Sequence, residues 1–539
     1  MLVEPFVTSV GCSPHALDML KPLVYQPLTE LDRRIFDATV PPDHYLRRVL
    51  RVVSFQRCRT LMAATYDPDH GRPACEPLLL LKLEFLQYHY NLSDRQVLDQ
   101  THYNLAFRLF LDLSLNSDLP DPSLLSYFRS RLGAALHQQL FDDIVGQARE
   151  KGLVKDRLRL KDATHVLANI AIPSTIALVG QTRDRLLEAL QPFAAERVAA
   201  ERQRLEALRA ATTDLSGEER LLGRVAYLRA LAAWADEVPA GPAFAAGLPG
   251  QRQALEEALR LTHKVLADRD DPKGTDQAVS AHDPAARQSY HGGVFTGYLL
   301  DVATDADSQI ITALNVLPAH GPEALDAVAL LRQEEQAHGN NVQAVSMDGA
   351  GFHGAALRAL TEPGGPQVAV YTPPKKEPAT AFFTAERFTL NVRGETLTCP
   401  AGQTTRKRRR SYHDTGWQFR FARKACAGCP LQGQCVPRLP QTTGRVVIKN
   451  HHEKEYQAAR AVAQTEAYQA VRQEHPAIER KLGEMVRWHR ARWARYRGQA
   501  KVLLQGLLTG LVVNVKRLVS LVAGGGGAGA VRAGLAGTG

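Results

Sequence analysis

The chain has 539 residues, too many for one hydrophobic core, so two to four domains are expected. Its longest apolar stretch, Val502 to Ala523, is interrupted by Gln505, Asn514, Lys516 and Arg517, which argues against a membrane span and for a buried helix. The net charge of +10 is clustered, with eight Lys/Arg against one Asp in residues 406–424 and eight against one Glu in 480–501, a distribution that suits a phosphate backbone.

The N-terminus MLVEPFVTSVGCS has neither a basic start nor a continuous apolar core, so no secretory signal is expected. The expected compartment is the cytoplasm. Seven cysteines in a reducing compartment, four of them clustered, point to metal rather than disulfides.

Residues 76–151 read as consecutive helices, and residues 1–151 as a helical N-terminal domain. Pro77 opens LLLLKLEFLQYHY, Ser93 and Gln96 fit a capping box, and Asp121 caps DPSLLSYFRSRL with Pro122 at its first position. That last helix sets Leu124, Leu125, Phe128 and Leu132 on one side and Ser123, Ser126, Arg129 and Ser130 on the other. Two readings fit: a helix-turn-helix-like DNA reader with Arg129 at the DNA, or an ordinary bundle with a solvated face.

Val154 to Asp162 shifts towards period two, which places Asp162 at or just past a strand end. Residues 183–268 are rich in Ala, Leu, Arg and Glu and read as a helical insert, bounded with its linker at 282. Strands return at Val294–Ala303 and Gln309–Leu317 around the turn TDADS. A helix from Pro322 follows, then a short strand from Val342 to Met347 ending at Asp348, a helix at Gly354–Leu360 and the strand QVAVYT. A basic, cysteine-bearing segment spans 373–450. Helices are expected at Glu453–Glu474, Pro476–Arg497 and Gln499–Val522, and the Gly/Ala tail 523–539 is expected to be disordered. Without the two inserts, the pieces 152–182, 283–372 and 451–522 run strand, hairpin, helix, strand, helix, strand, helices. That is the order of an α/β ribonuclease-H-like core, a mixed sheet flanked by helices with acids at strand ends.

Asp162, Asp348 and Glu479 form a set that can hold two divalent cations, since hard cations such as Mg2+ take carboxylate oxygens and phosphate. Each also has an ordinary structural role open to it: a cap for Asp162, the DGAG turn for Asp348, a first-turn helix acid for Glu479. Cys399, Cys426, Cys429 and Cys435 form C-x26-C-x2-C-x5-C. Four thiolates can close a tetrahedral, structural Zn2+ site, or they can be reduced cysteines in a loop. Arg406, Lys407, Arg408, Arg409 and Arg410 would then sit on a metal-stapled insert, or on a solvated loop. On an ideal helix Arg490 falls within about 20° of Glu479, eleven residues being close to three turns. With Arg487 it is a candidate phosphate ligand or part of a solvated basic face. Trp417, Trp488 and Trp493 lie among basic residues and can stack on bases; for Trp488 a core position is the favoured reading.

The chain resembles bacterial insertion-sequence DDE transposases, most closely the insertion-sequence family numbered 1182. The resemblance covers roughly residues 60–520. It is carried by an InsH-type N-terminal region (EPLLLLKLEFLQYHYNLSDRQVLDQ, PDPSLLSYFRSRL) and by KDATHVLANIAIPS, HDPAARQ, GYLLDVATD and MDGAGFHG. The C-terminal half adds LTCPAGQTT, CAGCPLQGQC and IERKLGEMVRWHRARWARYRGQAKVLLQGLLTGLVVNVKRL. It implies that Asp162, Asp348 and Glu479 are the catalytic acids and bind Mg2+ or Mn2+. It also implies binding to terminal inverted repeats and target DNA, a homodimer or larger synaptic assembly, and a place at the nucleoid. Related enzymes often carry a Tyr–Arg–Glu–Lys signature. Here Tyr468 and Arg472 precede Glu479, but Val486 stands seven residues after it, so Glu474 and Glu484 remain rival third acids. Asp283, Arg287 and Tyr298 also match, with Arg287 binding phosphate or pairing with Asp283. The competing functional reading is a non-catalytic DNA-binding protein derived from a transposase; a structural or RNA-binding helical protein would leave the strand-end acids unexplained.

Overall fold

The computed structural model describes residues 28–67, 74–290, 293–375, 382–391, 393–412, 415–436, 438 and 442–524. The N-terminal stretch read for a signal and the Gly/Ala tail beyond 524 lie outside these.

The N-terminal region is helical: α1 (Glu30–Thr39), α2 (Tyr45–Val52), α3 (Arg59–Ala63), α4 (Pro77–His89), α5 (Asp94–Tyr103), α6 (Leu105–Leu111) and α7 (Ser123–Glu150). Local chemistry sets the ends. Pro77 occupies the first turn of α4, Ser93 and Gln96 cap each other's backbone at α5, and Asp121 Oδ1 accepts the Ser123 N–H at 2.8 Å at α7. Gly133 takes φ +60° inside α7, a conformation that costs a residue with a Cβ, and this kinks α7 into two segments.

The chain then enters a mixed sheet with β1 (Arg159–Leu167) and leaves it for the insert α8 (Thr175–Leu190), α9 (Ala195–Ala211), α10 (Gly217–Ala235), α11 (Pro242–Ala246) and α12 (Pro249–Asp270). The insert has its own core, in which Leu186, Leu190, Leu228 and Leu255 are fully buried. It returns as β2 (Arg287–Tyr290), β3 (Val294–Asp305), β4 (Ile311–Pro318), α13 (Glu323–His338), β5 (Ala344–Ser346), α14 (Gly354–Thr361) and β6 (Ala369–Tyr371). β2 and β4 pair with successive stretches of one edge of β3, and from there the order runs β3, β1, β5, β6. β1, β3 and β4 are antiparallel neighbours; β5 and β6 run parallel to β1. This topology is consistent with a ribonuclease-H-like transposase core behind a helical N-terminal region.

The cysteine-bearing segment builds two small sheets, β7 (Thr389–Leu390), β8 (Leu397–Thr398) and β9 (Thr404–Thr405), then β10 (Arg408–Arg410), β11 (Gly416–Arg420) and β12 (Val446–Asn450). Between β11 and β12 lie α15 (Arg423–Ala427) and α16 (Gln432–Cys435). The chain finishes with α17 (Glu453–Val462), α18 (Glu466–Glu474), α19 (Pro476–His489) and α20 (Gln499–Gly524). α20 is long and apolar enough to cross a membrane, yet Leu507, Leu511, Val513 and Leu518 are buried against α4, α7 and β4.

Three expectations change. β1 starts later than the period-two run and continues through Asp162, because β3 pairs with its whole length. The helix expected over 453–474 is two helices, with the Thr465 side chain capping the second. The helix expected to reach Arg497 stops at His489, and Arg490 turns left-handed at φ 52°. The angular match of Arg490 to Glu479 therefore lapses, since no continuous helix joins them.

Candidate metal centre

Register brings the two aspartates together. Leu160 of β1 lies opposite Ser346 of β5, in parallel strands, and the paired stretch ends there. Two residues further along each strand are Asp162 and Asp348. With a side-chain period of two they emerge on one face, just beyond the end of the shorter strand. Asp348 also caps the turn that follows, accepting the Ala350 N–H at 2.9 Å.

The third carboxylate in the group is Glu323, the first residue of α13. The turn from β4 brings it over the sheet, and Gly321 is needed there: a Cβ at that position would lie 2.7 Å from Leu317 Cβ and 3.0 Å from the Pro318 carbonyl. Carboxylate oxygens of Asp162, Glu323 and Asp348 lie within 4.8 Å of one another, and all three residues are half-buried. Among the described residues this is the group of three or more ligand side chains that could hold a metal ion. Burial pushes the Asp162 carboxyl up to about 6. Its own-strand Ala163 N–H and Lys161 oppose that, and the charges of Asp348 and Glu323 add to it. Lys161 is buried behind the group. Its ammonium donates to the Glu323 carbonyl at 2.8 Å and Oε1 at 3.3 Å and pairs with Asp301 at 3.0 Å. The carboxylates open on a groove of about 400 Å³, also lined by His165, Tyr290, His320 and Arg492. Clustered hard oxygen donors, short of positive charge, fit a divalent cation.

Glu479 stands exposed in the first turn of α19, which packs against β1, and is not part of that group. Its two rivals are occupied. Glu474 makes a two-pronged bridge to Arg157 at 3.0 and 2.7 Å, and Glu484 binds Lys481 at 3.0 Å and Lys516 at 2.7 Å. Nearby, Arg472 donates to the Met347 carbonyl at 2.8 Å, and buried His475 bonds Ser346 Oγ at 3.0 Å, so the α18–α19 junction is tied to the strand that leads into Asp348.

Glu323 was not found from sequence. As a first-turn acid after Pro322 it reads as an ordinary helix-dipole residue, and only the strand order shows what it faces.

The expected DNA contacts divide. Arg406, Lys407, Arg408, Arg409 and Arg410 are all exposed, with Arg408 stacked 4.4 Å from the Trp417 ring centre. Arg487 and Arg490 are exposed as well. Arg129 is not a DNA-facing residue in this fold: it is 7% exposed and held by Asp94 at 2.5 Å, with Glu84 at 3.7 Å. Two acids on α4 and α5 draw it inward, which the composition of its own helix could not reveal. Trp488 departs the other way: the favoured core position does not hold, and the residue is 69% exposed. Arg287 does not pair with Asp283; it binds Asp276, while Asp283 is buried and accepts from Tyr298 Oη at 2.5 Å and the Gly498 N–H at 3.0 Å. Cys399, Cys426, Cys429 and Cys435, all free thiols, line one small cavity under α15 and α16, where the Arg445 N–H donates to Cys426 Sγ at 3.4 Å.

Comparison with known families bears on both ends of the chain. Residues 34–131 match the Transposase domain (DUF772), and residues 398–519 match the Transposase DDE domain. Two separate stretches of the chain are thus similar to transposase domains. No solved structure matches it. The DDE match contains Glu479 and the four cysteines, whereas Asp162, Glu323 and Asp348 lie in the stretch between the two matches. A DDE domain together with this acidic group is the equipment of a metal-dependent phosphoryl-transfer enzyme.

Proposed function

We propose that the chain is the transposase of a bacterial insertion sequence, in or near the family numbered 1182. In this reading it binds the terminal inverted repeats, cuts DNA strands at the element's ends and joins the freed 3′-OH to target DNA. The observation that carries the reading is the meeting of Asp162 and Asp348 on adjacent parallel strands in a chain with a transposase DDE domain.

Asp162 and Asp348 would hold Mg2+ or Mn2+, with Glu323 from the group behind them and Glu479 as the third acid of the triad. Glu479 is favoured over Glu474 and Glu484 because those two are committed to ion pairs. When bound, the ions supply an activated attacking oxygen and stabilise the leaving one. The protein's own part is to fix the acids. β1 and β5 set the spacing of the aspartates, Lys161 holds Glu323, and Arg472 with His475 anchors the strand end before Asp348. Exposed Arg406 to Arg410 and Arg487 would grip phosphates, a contribution that is sequence-independent and salt-sensitive. Two element ends must be held together, which supports a dimer or larger assembly acting at the nucleoid. The four cysteines would hold one structural Zn2+, since four thiolates leave no open position for catalysis.

The test is cleavage of DNA carrying the sequences that flank the reading frame, with and without Mg2+. Strand cutting in wild type that disappears in Glu479→Gln, but persists in Glu474→Gln and Glu484→Gln, supports the assignment. Intact cutting by Glu479→Gln moves the third ligand to Glu323. DNA binding with no metal-dependent cutting would favour the non-catalytic reading. Zinc near one equivalent per chain, lost in Cys426→Ser with Cys429→Ser, supports the thiol site.

A further inference from the structure

Three helices of the insert meet around arginines whose charge is only half answered. They are Arg183 on α8, Arg209 in the last turn of α9, and Arg220 and Arg224 on α10, which packs along α8. Arg220 and Arg224 stand one turn apart on the same face of α10, a like-charged i, i+4 pair that weakens a helix. Arg183 is 4% exposed, and Arg220 and Arg224 are half-buried. Burial, then the guanidiniums of Arg183, Arg209 and Arg220, lower the pKa of Arg224, and no carboxylate is among the causes.

Two of the four have acidic partners. Arg183 binds Asp184, its neighbour in sequence, at 2.7 and 2.9 Å, and Arg209 binds Glu206 at 2.7 Å. Among the described residues no carboxylate pairs with Arg220 or Arg224, and Arg220 Nε is buried without a hydrogen-bond partner. Room is left beside them. Apart from its own helix backbone, a Cβ on the buried Gly180 of α8 would meet only Arg183 Nη2, at 3.8 Å, so that guanidinium borders unfilled space. Elsewhere the insert pairs its cations: Arg229 binds Asp270, Lys264 binds Asp268, and Arg185 reaches Glu257 at 3.5 Å. Acids are at hand in these helices and do not serve Arg220 and Arg224.

Arginine keeps its proton in a protein, so crowded guanidiniums cannot relieve their repulsion by becoming neutral. A bound anion relieves it. The guanidinium fork matches the oxygens of a phosphate group, and several forks can share one. The cluster is separate from the acidic groove, but the insert that carries it is tied to the groove's rim: Asp276, after α12, binds Arg287 of β2 and stands 3.5 Å from His320.

We propose that the helical insert binds a phosphate group where α8, α9 and α10 meet, held by Arg183, Arg209, Arg220 and Arg224. The site stands apart from the metal centre and does not depend on the role given to the acids. A DNA backbone phosphate and a free phosphate anion share this chemistry, and the experiment separates them.

The full-length protein is unfolded by heat in phosphate-free buffer, beside the double variant Arg220→Gln with Arg224→Gln. Without phosphate the variant should unfold at the wild-type temperature or higher, because repulsion has been removed; arginines with a purely structural role would lower it. Millimolar inorganic phosphate, compared with chloride at equal ionic strength, should raise the wild-type midpoint, since a ligand of the folded state stabilises it. Most of that rise should vanish in the double variant and persist in Arg260→Gln, an exposed arginine of α12 that does not act on Arg224. Binding of duplex DNA across a range of salt then names the source. A plot of log affinity against log salt that is shallower by about 1–2 in the double variant assigns the site to the DNA backbone, and an unchanged slope assigns it to a free anion. A wild type indifferent to phosphate, or a double variant that responds as wild type does, overturns the proposal. So does a double variant less stable than wild type before phosphate is added.

Discussion

β1 carries charge at two places, and the fold treats them in opposite ways. At its start Arg159 is fully buried and completely answered. Its guanidinium binds Glu334 at 2.6 and 2.8 Å, Asp305 at 3.1 Å and Asp156 at 3.2 Å. Arg149 joins Glu334 and Asp156 from α7, and Asn340 donates to both of those acids. Three residues along the same strand, Asp162 meets Asp348 and Glu323, with Lys161 paired to Glu323 beside them. A fold that supplies matched partners for Arg159 shows that compensation was within reach. Leaving like charges crowded at Asp162 costs stability and marks a site kept for a ligand of opposite charge.

The largest expected effect follows from breaking the crowded end. Asp162→Asn and Asp348→Asn should each lower Mg2+-dependent strand cleavage by roughly a thousandfold or more, the cost of losing a metal ligand that stabilises the transition state. DNA binding, measured by gel shift, should stay within a few-fold. Near-normal cleavage by either variant would reduce the acidic group to a structural feature and dissolve the contrast.

The matched end should respond in stability instead. Arg159→Met takes the buried guanidinium from Asp305 and leaves Glu334 with Arg149 alone, and breaking a buried pair costs about 3–5 kcal/mol. A clear fall in the thermal or urea midpoint is expected, with metal affinity per folded molecule unchanged. An unaltered midpoint would mean that water or a shifted proton already serves those acids. Lys161→Met should fall between the two ends, losing some stability and weakening Mn2+ binding through Glu323, with Lys161→Arg recovering part of both.

Sequence made the architecture of this contrast visible but only half of its members. The alternation of strands and helices pointed to a mixed sheet flanked by helices, because each strand and each amphipathic helix carries its own periodicity. Asp162 and Asp348 were legible because each follows a β-like run, so a parallel pairing puts them side by side. Glu323 was not, since its neighbours in space come from β1 and β5, and nothing local separates it from an ordinary first-turn acid. Arg129 was misplaced for a related reason: its partners Glu84 and Asp94 lie on other helices, and a Ser/Arg face says nothing about them. The angular match of Arg490 to Glu479 failed because the end of α19 depends on the backbone of 492–494 leaving the helix to pair with β1. Local pattern finds elements; charge placement depends on which elements meet.

The smallest effect is the sharpest check on the crowding itself. Burial, with Asp348 and Glu323, raises the Asp162 carboxyl from 3.8 to about 6. A carboxyl whose folded value lies above its unfolded one contributes stability below the unfolded value and loses it as pH rises through the folded value. Metal-free protein should therefore lose stability at this position between about pH 4 and 6 and remain at the lower level above that. A net shift of about two units, in which the hydrogen bond from Ala163 already opposes burial, corresponds to at most about 2–3 kcal/mol. Asp162→Asn should accordingly be more stable than wild type at pH 8 without metal, by about 1–2 kcal/mol. The gap should narrow as pH falls through 6 and close below about pH 3, where Asp162 is protonated in both folded and unfolded wild-type chains. Added Mn2+ should stabilise wild type and leave the variant nearly unmoved, because cation and proton compete for the same oxygens. Cleavage should fall as pH drops through about 6 for the same reason. Should Asp162→Asn prove less stable than wild type in EDTA at pH 8, the crowded acids would be net stabilising and the two ends of β1 would not differ in kind.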